Sequence, residues 1–208
     1  MRKSFNVANS CVLIIDVINS CCNKKCEIKK WNITYNKIRL MIPKLELFLV
    51  KYKQITKKPI IYVNTVPWTE HYIADNLNEL YKNPNVKYYS MDKTGFSEKF
   101  YLLKPRKEDY IITKNTYDAF SNKKLDIILK NNNIKNIIVV GVFADGCVNS
   151  TIINGFSKGY NFIIFKDLVE TTDIKVRQKI KKQLIEYTWP NMYGLVISSN
   201  DYLKSIEL

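Results

Sequence analysis

Apolar residues in this chain fall into short unbroken runs, separated by longer stretches in which they recur at every third or fourth position. The runs are Cys11–Ile15, Pro59–Thr65, Asp109–Thr113, Ile137–Val140, Tyr160–Phe165 and Leu195–Ile197. Runs of this length, rich in β-branched residues and showing little alternation, predict strands buried on both faces. From Trp31 to about Gln54 the period changes: Ile38, Met41, Ile42, Leu45, Phe48 and Leu49 follow spacings of three and four, with Lys37, Lys44, Glu46 and Lys51 between them. That pattern predicts an amphipathic helix, and Pro43 predicts a kink in it or a boundary between two shorter helices. Further helices are expected over Ile73–Tyr81, around Leu125–Leu129, and from Cys147 to the Gly155–Gly159 stretch. A basic helix capped by Asp173 or Thr172 should run through Glu186, and a short one should start at Asn200–Asp201.

Strands alternating with helices imply a three-layer, doubly wound α/β fold of Rossmann type: a mainly parallel six-stranded sheet with helices on both faces. The 208 residues suit one domain spanning 1–208. In such a sheet, ligands bind outside the carboxyl ends of the strands, where the strand order reverses. The stretch from Val66 to about Arg106 is the least regular, with turns expected near Pro84 and Gly95, and is the place to expect a lid or pocket wall.

Composition narrows the function classes. Hydrophobic residues make up 46% of the chain, yet no apolar run approaches the roughly 20 residues of a membrane span. The N-terminus has a basic start without an apolar stretch of signal-peptide length, so a cytoplasmic location and no membrane partner are expected. The net charge of +14 comes largely from scattered lysines such as Lys51, Lys53, Lys123, Lys124, Lys179 and Lys182. With no compact arginine cluster or nucleic-acid motif, this reads as a solvated surface that can steer an anionic substrate; no nucleic-acid partner is expected. Of five cysteines, Cys21, Cys22 and Cys26 crowd one segment. No second cluster completes a tetrahedral metal site, so they read as reduced thiols in a loop.

The run beginning at Ile137 stops at Gly141 and reopens on Cys147, a strand, turn and helix in sequence. Cys147 would occupy the first turn of that helix, where unpaired N–H groups and the helix dipole favour thiolate over thiol. Cysteine is also among the most buried residue types, and a plain core position fits equally well. Asp16, Lys114 and Cys147 each end a predicted strand and can therefore converge. The chain has one histidine, His71, in the irregular segment, where a surface position is expected. A base for Cys147 would then be a carboxylate; Asp16 fits that role and Lys114 fits stabilisation of the thiolate. Each also has a plainer reading: Asp16 closing a turn, Lys114 solvated, Asp145 ordering the turn before the helix, and Trp68, Tyr117 and Phe120 as core rather than pocket walls.

Val12–Asn19, with Asp16 within it, resembles the strand-and-aspartate motif of the isochorismatase-like cysteine hydrolases. Ile112–Phe120 is similar to that family's lysine motif, and Gly141–Thr151 to its nucleophile motif. The resemblance implies Asp16 as general base, Lys114 as its electrostatic partner and Cys147 as nucleophile. It also implies a cis peptide at Val142–Phe143, with the backbone N–H groups of Phe143 and Cys147 forming an oxyanion hole. Asn19, Trp68, Tyr117 and Phe120 are the expected substrate-pocket residues. The expected reaction is metal-independent cleavage of a C–N bond in a small amide, carbamoyl or ureido substrate through a cysteine thioester, with no cofactor. The resemblance further implies a homo-oligomer, a dimer or tetramer. The nicotinamidase branch adds a metal site of one aspartate and two histidines, which a chain with one histidine cannot assemble. Ile18 and Cys21 stand where the family often has glutamine and phenylalanine, and Phe143 where a small residue is frequent, so the pocket should differ in shape. The alternatives are hydrolysis of a vinyl ether in the manner of an isochorismatase, and a non-catalytic basic binding module.

Overall fold

A computed structural model of the chain describes residues 9–28, 31–56, 58–83 and 94–206; the turn expected near Pro84 lies outside them. The strands are β1 (Ser10–Ile15), β2 (Ile61–Thr65), β3 (Tyr110–Lys114), β4 (Asn136–Val142), β5 (Asn161–Glu170) and β6 (Gly194–Ile197). They form one sheet in the order β3-β2-β1-β4-β5-β6, and every neighbouring pair is parallel. The α-helices are α1 (Asn19–Cys22), α2 (Asn36–Thr56), α3 (Asp75–Tyr81), α4 (Lys123–Asn131), α5 (Asn149–Ser157), α6 (Lys175–Gln183), α7 (Trp189–Met192) and α8 (Ser199–Ile206). The chain winds outward from β1 to β3, then returns to lay β4 against the other edge of β1. The strand order therefore reverses between β1 and β4, and the two strand ends diverge there.

Alternation along the strands divides the core in two. Val12 and Ile14 of β1, with Ile138, Val140, Ile163 and Phe165, pack on the face covered by α2 and α8. Cys11, Leu13 and Ile15, with Ile137, Val139 and Ile164, pack on the face covered by α4, α5 and Trp189. Because both faces are covered, β1 and β4 are buried along their whole length, which is why their sequences read as unbroken apolar runs.

Some local expectations need correction. Helix α2 continues through Pro43 without a boundary. The proline sits on the exposed side of the helix, where the carbonyl left without a donor can turn to water. Asp173 does not cap α6, whose N-cap is Ile174 with no side-chain hydrogen bond. Its carboxylate instead accepts from the backbone N–H groups of Asn36 at 2.8 Å and Lys37 at 3.1 Å, capping α2 from the far end of the chain. Strand β5 runs past Phe165 to Glu170, and its register against β4 shifts between Val139 and Gly141. Lys166 and Asp167 interrupt the apolar run there and conceal the continuation. The 21–26 region is not a loop: Cys21 and Cys22 are buried in α1, and Cys26 ends a short 3-10 turn.

Gly141 is the tightest point of the sheet. Its φ is +112°, and a Cβ built on it would run into the carbonyl oxygen of Ile15 and lie 2.8 Å from Ile15 N. Backbone cannot yield as a flexible side chain can, and L-residues avoid this conformation. Gly141→Ala should cost at least the upper end of the ~1–3 kcal/mol typical of overpacked cores, read as a lowered urea midpoint with an unchanged slope.

Candidate active site

Each of the three groups expected from the sequence to react stands at or just beyond the carboxyl end of a strand. Asp16 follows β1 directly, with φ of +50°, a region aspartate tolerates better than most residues. Its N–H donates to Val63 O on β2 at 3.1 Å, which fixes the turn. Lys114 is the last residue of β3, two strands away from β1. Strands lie about 4.8 Å apart, so only a long side chain crosses the end of β2 to reach Asp16. Lys114 does so: Nζ lies 2.8 Å from Asp16 Oδ2, with the two side chains 0% and 2% exposed. The same ammonium donates to Thr116 O at 3.1 Å and to Cys147 Sγ at 3.5 Å.

Cys147 is delivered by an irregular connection. After β4 the Val142–Phe143 peptide is cis, and a π-helical turn over Ala144–Val148 leads into α5. Phe143 O accepts from Gly146 N at 2.9 Å and from Val148 N at 3.2 Å, and Gly146 breaks the helical dihedrals with φ −127° and ψ −106°. The cysteine thus sits in the turn ahead of α5, and its thiol is not the low-pKa group expected from a helix N-terminus. Burial pushes it up to about 12; the Lys114 ammonium pulls it down, but the Asp16 carboxylate beside it pushes it up again. At neutral pH the group is a thiol. Burial alone would lower the Lys114 pKa, yet Asp16 and then Cys147 outweigh it and hold the ammonium charged. Asp16 Oδ1 is buried and has no hydrogen-bond partner of regular geometry among the described residues.

Asp16 and Cys147 line a cavity of about 440 Å³, with Lys114 behind them. Trp68 and Tyr117, stacked with centroids 6.0 Å apart, form one wall. Phe143 and Ile153 add apolar surface, and Thr65, Asn149 and Ser150 add neutral polar groups. Trp68 is held by donating Nε1–H to Tyr81 Oη at 2.9 Å. Two expected pocket residues are elsewhere. Phe120 is core, stacked on Tyr160 at 5.5 Å and pressed against Gly155. Asn19 donates to Phe96 O at 2.9 Å and accepts from Asn23, so its amide is spent fastening α1. His71 is exposed beside Glu70, outside the cavity lining.

The cavity also holds residues that sequence reasoning did not place there. Thr65 ends β2, and the strand-end rule that found Asp16 applies to it equally. Ser20 and Cys21 line the wall from α1. Asp145 does more than order a turn: it takes a two-point contact from Arg177, Nε to Oδ2 at 2.6 Å and Nη2 to Oδ1 at 2.8 Å. The Arg177 guanidinium lies 4.7 Å from the Phe143 ring centroid. Nothing local marked Arg177, which lies on α6 among several lysines.

Comparison with known proteins finds matches along most of the chain. The isochorismatase domain model matches residues 10–200. The chain is 31% identical over 111 residues to the secreted isochorismatase effector Isc1 of Verticillium dahliae, covering 52% of this chain and 57% of that protein. It is 25% identical over 135 residues to the ureidoacrylate amidohydrolase RutB of Pseudomonas savastanoi, covering 64% of this chain and 54% of that one. The chain spans about half the length of the curated relatives it matches. Among solved structures, a cysteine hydrolase from Pseudomonas syringae superposes with a TM-score of 0.82 at 19% identity, covering 99% of this chain and 96% of that one. An isochorismatase family protein from Burkholderia thailandensis gives 0.79 at 18% identity, covering 99% and 98%.

The buried charges make two measurements informative. Alkylation of Cys147 by iodoacetamide, followed on its own peptide by mass spectrometry, should climb with pH through the neutral range, because thiolate grows as pH approaches a raised pKa. A thiol activated into the roughly 3.5–7.5 range would instead plateau. Lys114→Met strands the Asp16 carboxylate without its partner and should cost about 3–5 kcal/mol in urea unfolding.

Proposed function

The chain belongs to the isochorismatase family, and from that premise we propose that it is a metal-independent cysteine hydrolase that cleaves a C–N bond in a small amide, carbamoyl or ureido compound. The observation that carries the proposal is the meeting of Asp16, Lys114 and Cys147, joined through one ammonium at 2.8 and 3.5 Å. A resting thiol with a buried carboxylate beside it suits deprotonation during attack rather than before it. Asp16 takes the thiol proton as Cys147 Sγ attacks the carbonyl carbon. Lys114 holds the Asp16 carboxylate in place at 2.8 Å and stabilises the sulfur as charge develops on it. The oxyanion is assigned to the backbone N–H groups of Phe143 and Cys147, donors whose preorganisation would stabilise it by roughly 3–4 kcal/mol each.

Collapse of the tetrahedral intermediate breaks the C–N bond, and Asp16 returns the proton to the leaving amine. Water, activated by the same carboxylate, then hydrolyses the thioester and restores the thiol. No step needs a metal, and with a single histidine the chain lacks the two that the nicotinamidase-type site uses. A cytoplasmic location and a dimeric or tetrameric assembly belong to the same proposal. The five described cysteines are all free thiols, and Leu40, Leu47 and Val50 lie exposed along α2. No described helix is long and apolar enough to cross a membrane.

A panel of small amides and ureides, assayed by ammonia release, tests the reading. Cys147→Ala should abolish turnover, and Asp16→Asn should lower kcat by about 10²–10⁴-fold. An acyl adduct on Cys147, seen by mass spectrometry after acid quench, would exclude for that substrate a vinyl ether route in which sulfur is not the nucleophile. Full activity in Cys147→Ala would end the thioester mechanism.

A further inference from the structure

We propose that the cavity selects an uncharged substrate, one that carries no carboxylate or phosphate. This rests on the cavity being the hydrolase active site. The two acidic side chains that line it are each paired with a basic one, Asp16 with Lys114 behind the wall and Asp145 with Arg177. An ammonium has three hydrogens to donate, and Lys114 directs Nζ to Asp16 Oδ2, Thr116 O and Cys147 Sγ. Arg177 commits Nε and Nη2 to Asp145, and its guanidinium lies against the Phe143 ring. Asp145 Oδ1 also accepts from Thr171 Oγ1 at 2.5 Å, which anchors the pair from the protein side. A substrate carboxylate would give up its water and then compete with Asp16 or Asp145 for a cation already engaged.

The remaining walls suit a neutral molecule. Trp68, Tyr117, Phe143 and Ile153 offer apolar and aromatic faces, and Thr65 and Ser150 offer hydroxyls that both donate to and accept from an amide. The net charge of +14 acts differently. Fields from exposed lysines are screened over about 8–10 Å at physiological salt, so they draw anions to the surface without supplying a partner inside the cavity.

The test uses pairs of small amides and ureides matched in size, one member ending in a carboxylate and the other in the isosteric methyl ketone, with ammonia release as the readout. The wild-type protein should favour the neutral member in kcat/KM by about ten- to hundredfold. Asp145→Asn removes the counter-charge of Arg177 and should shift that ratio towards the acid by about tenfold or more. Arg177→Met leaves Asp145 without its cation and should shift it the other way; this variant decides the matter if Asp145→Asn does not fold. A wild-type preference for the acid, or a ratio that neither variant moves, overturns the inference. Acid-preferring turnover that Cys147→Ala abolishes would overturn this inference alone, leaving the hydrolase reading intact. Ammonia release unchanged by Cys147→Ala, or none from any pair, would overturn the hydrolase reading and this one with it.

Discussion

The contact on which the rest depends is the buried pair of Asp16 and Lys114. Each charge alone would be intolerable at that depth, and even together they recover the loss of hydration only because the geometry is close and the remaining ammonium hydrogens find acceptors. Meeting that condition requires three strand ends and a loop carbonyl in fixed relation: β1 for the acid, β3 for the amine, β4 for the sulfur, and Thr116 for the third hydrogen bond. The parallel sheet provides this relation because all its strands end on the same side. The reversal of order at β1 and β4 leaves the space above Asp16 and Cys147 open.

The same pair governs the sulfur. A cysteine at the start of a helix is ordinarily read as an activated thiolate, and here that reading fails for a local reason: the sulfur is buried, and the Asp16 carboxylate offsets part of the pull of the Lys114 ammonium. What the site stores is a protonated thiol beside a carboxylate, so the proposed nucleophile need exist as an anion only while it attacks.

Much of this was legible in the sequence because burial on both faces writes itself as unbroken apolar runs, and because strand ends can be read from where those runs stop. Asp16, Lys114 and Cys147 were placed that way, and Trp68 and Tyr117 by their nearness to the motif positions. What was hidden depends on partners far along the chain. Phe120 lies inside the lysine motif but turns into the core, because Gly155 leaves room for its ring. Asn19 follows the aspartate by three residues, yet its amide is claimed by Phe96. Arg177 sits in a lysine-rich helix that gives no hint of its contact with Asp145, since one guanidinium among many cations looks alike until its neighbour is known.

The cap on α2 has a consequence for how the chain is made. Asn36 and Asp173 are separated by 137 positions, and the inner edge of β1 is covered by β4, whose residues also emerge late. While the ribosome is still producing the middle of the protein, the long helix lacks the carboxylate that completes its first turn, and the central strand has one open side. The amino-terminal half is therefore a waiting template, and its architecture closes only when the last third arrives to supply both a neighbour for the strand and a stopper for the helix.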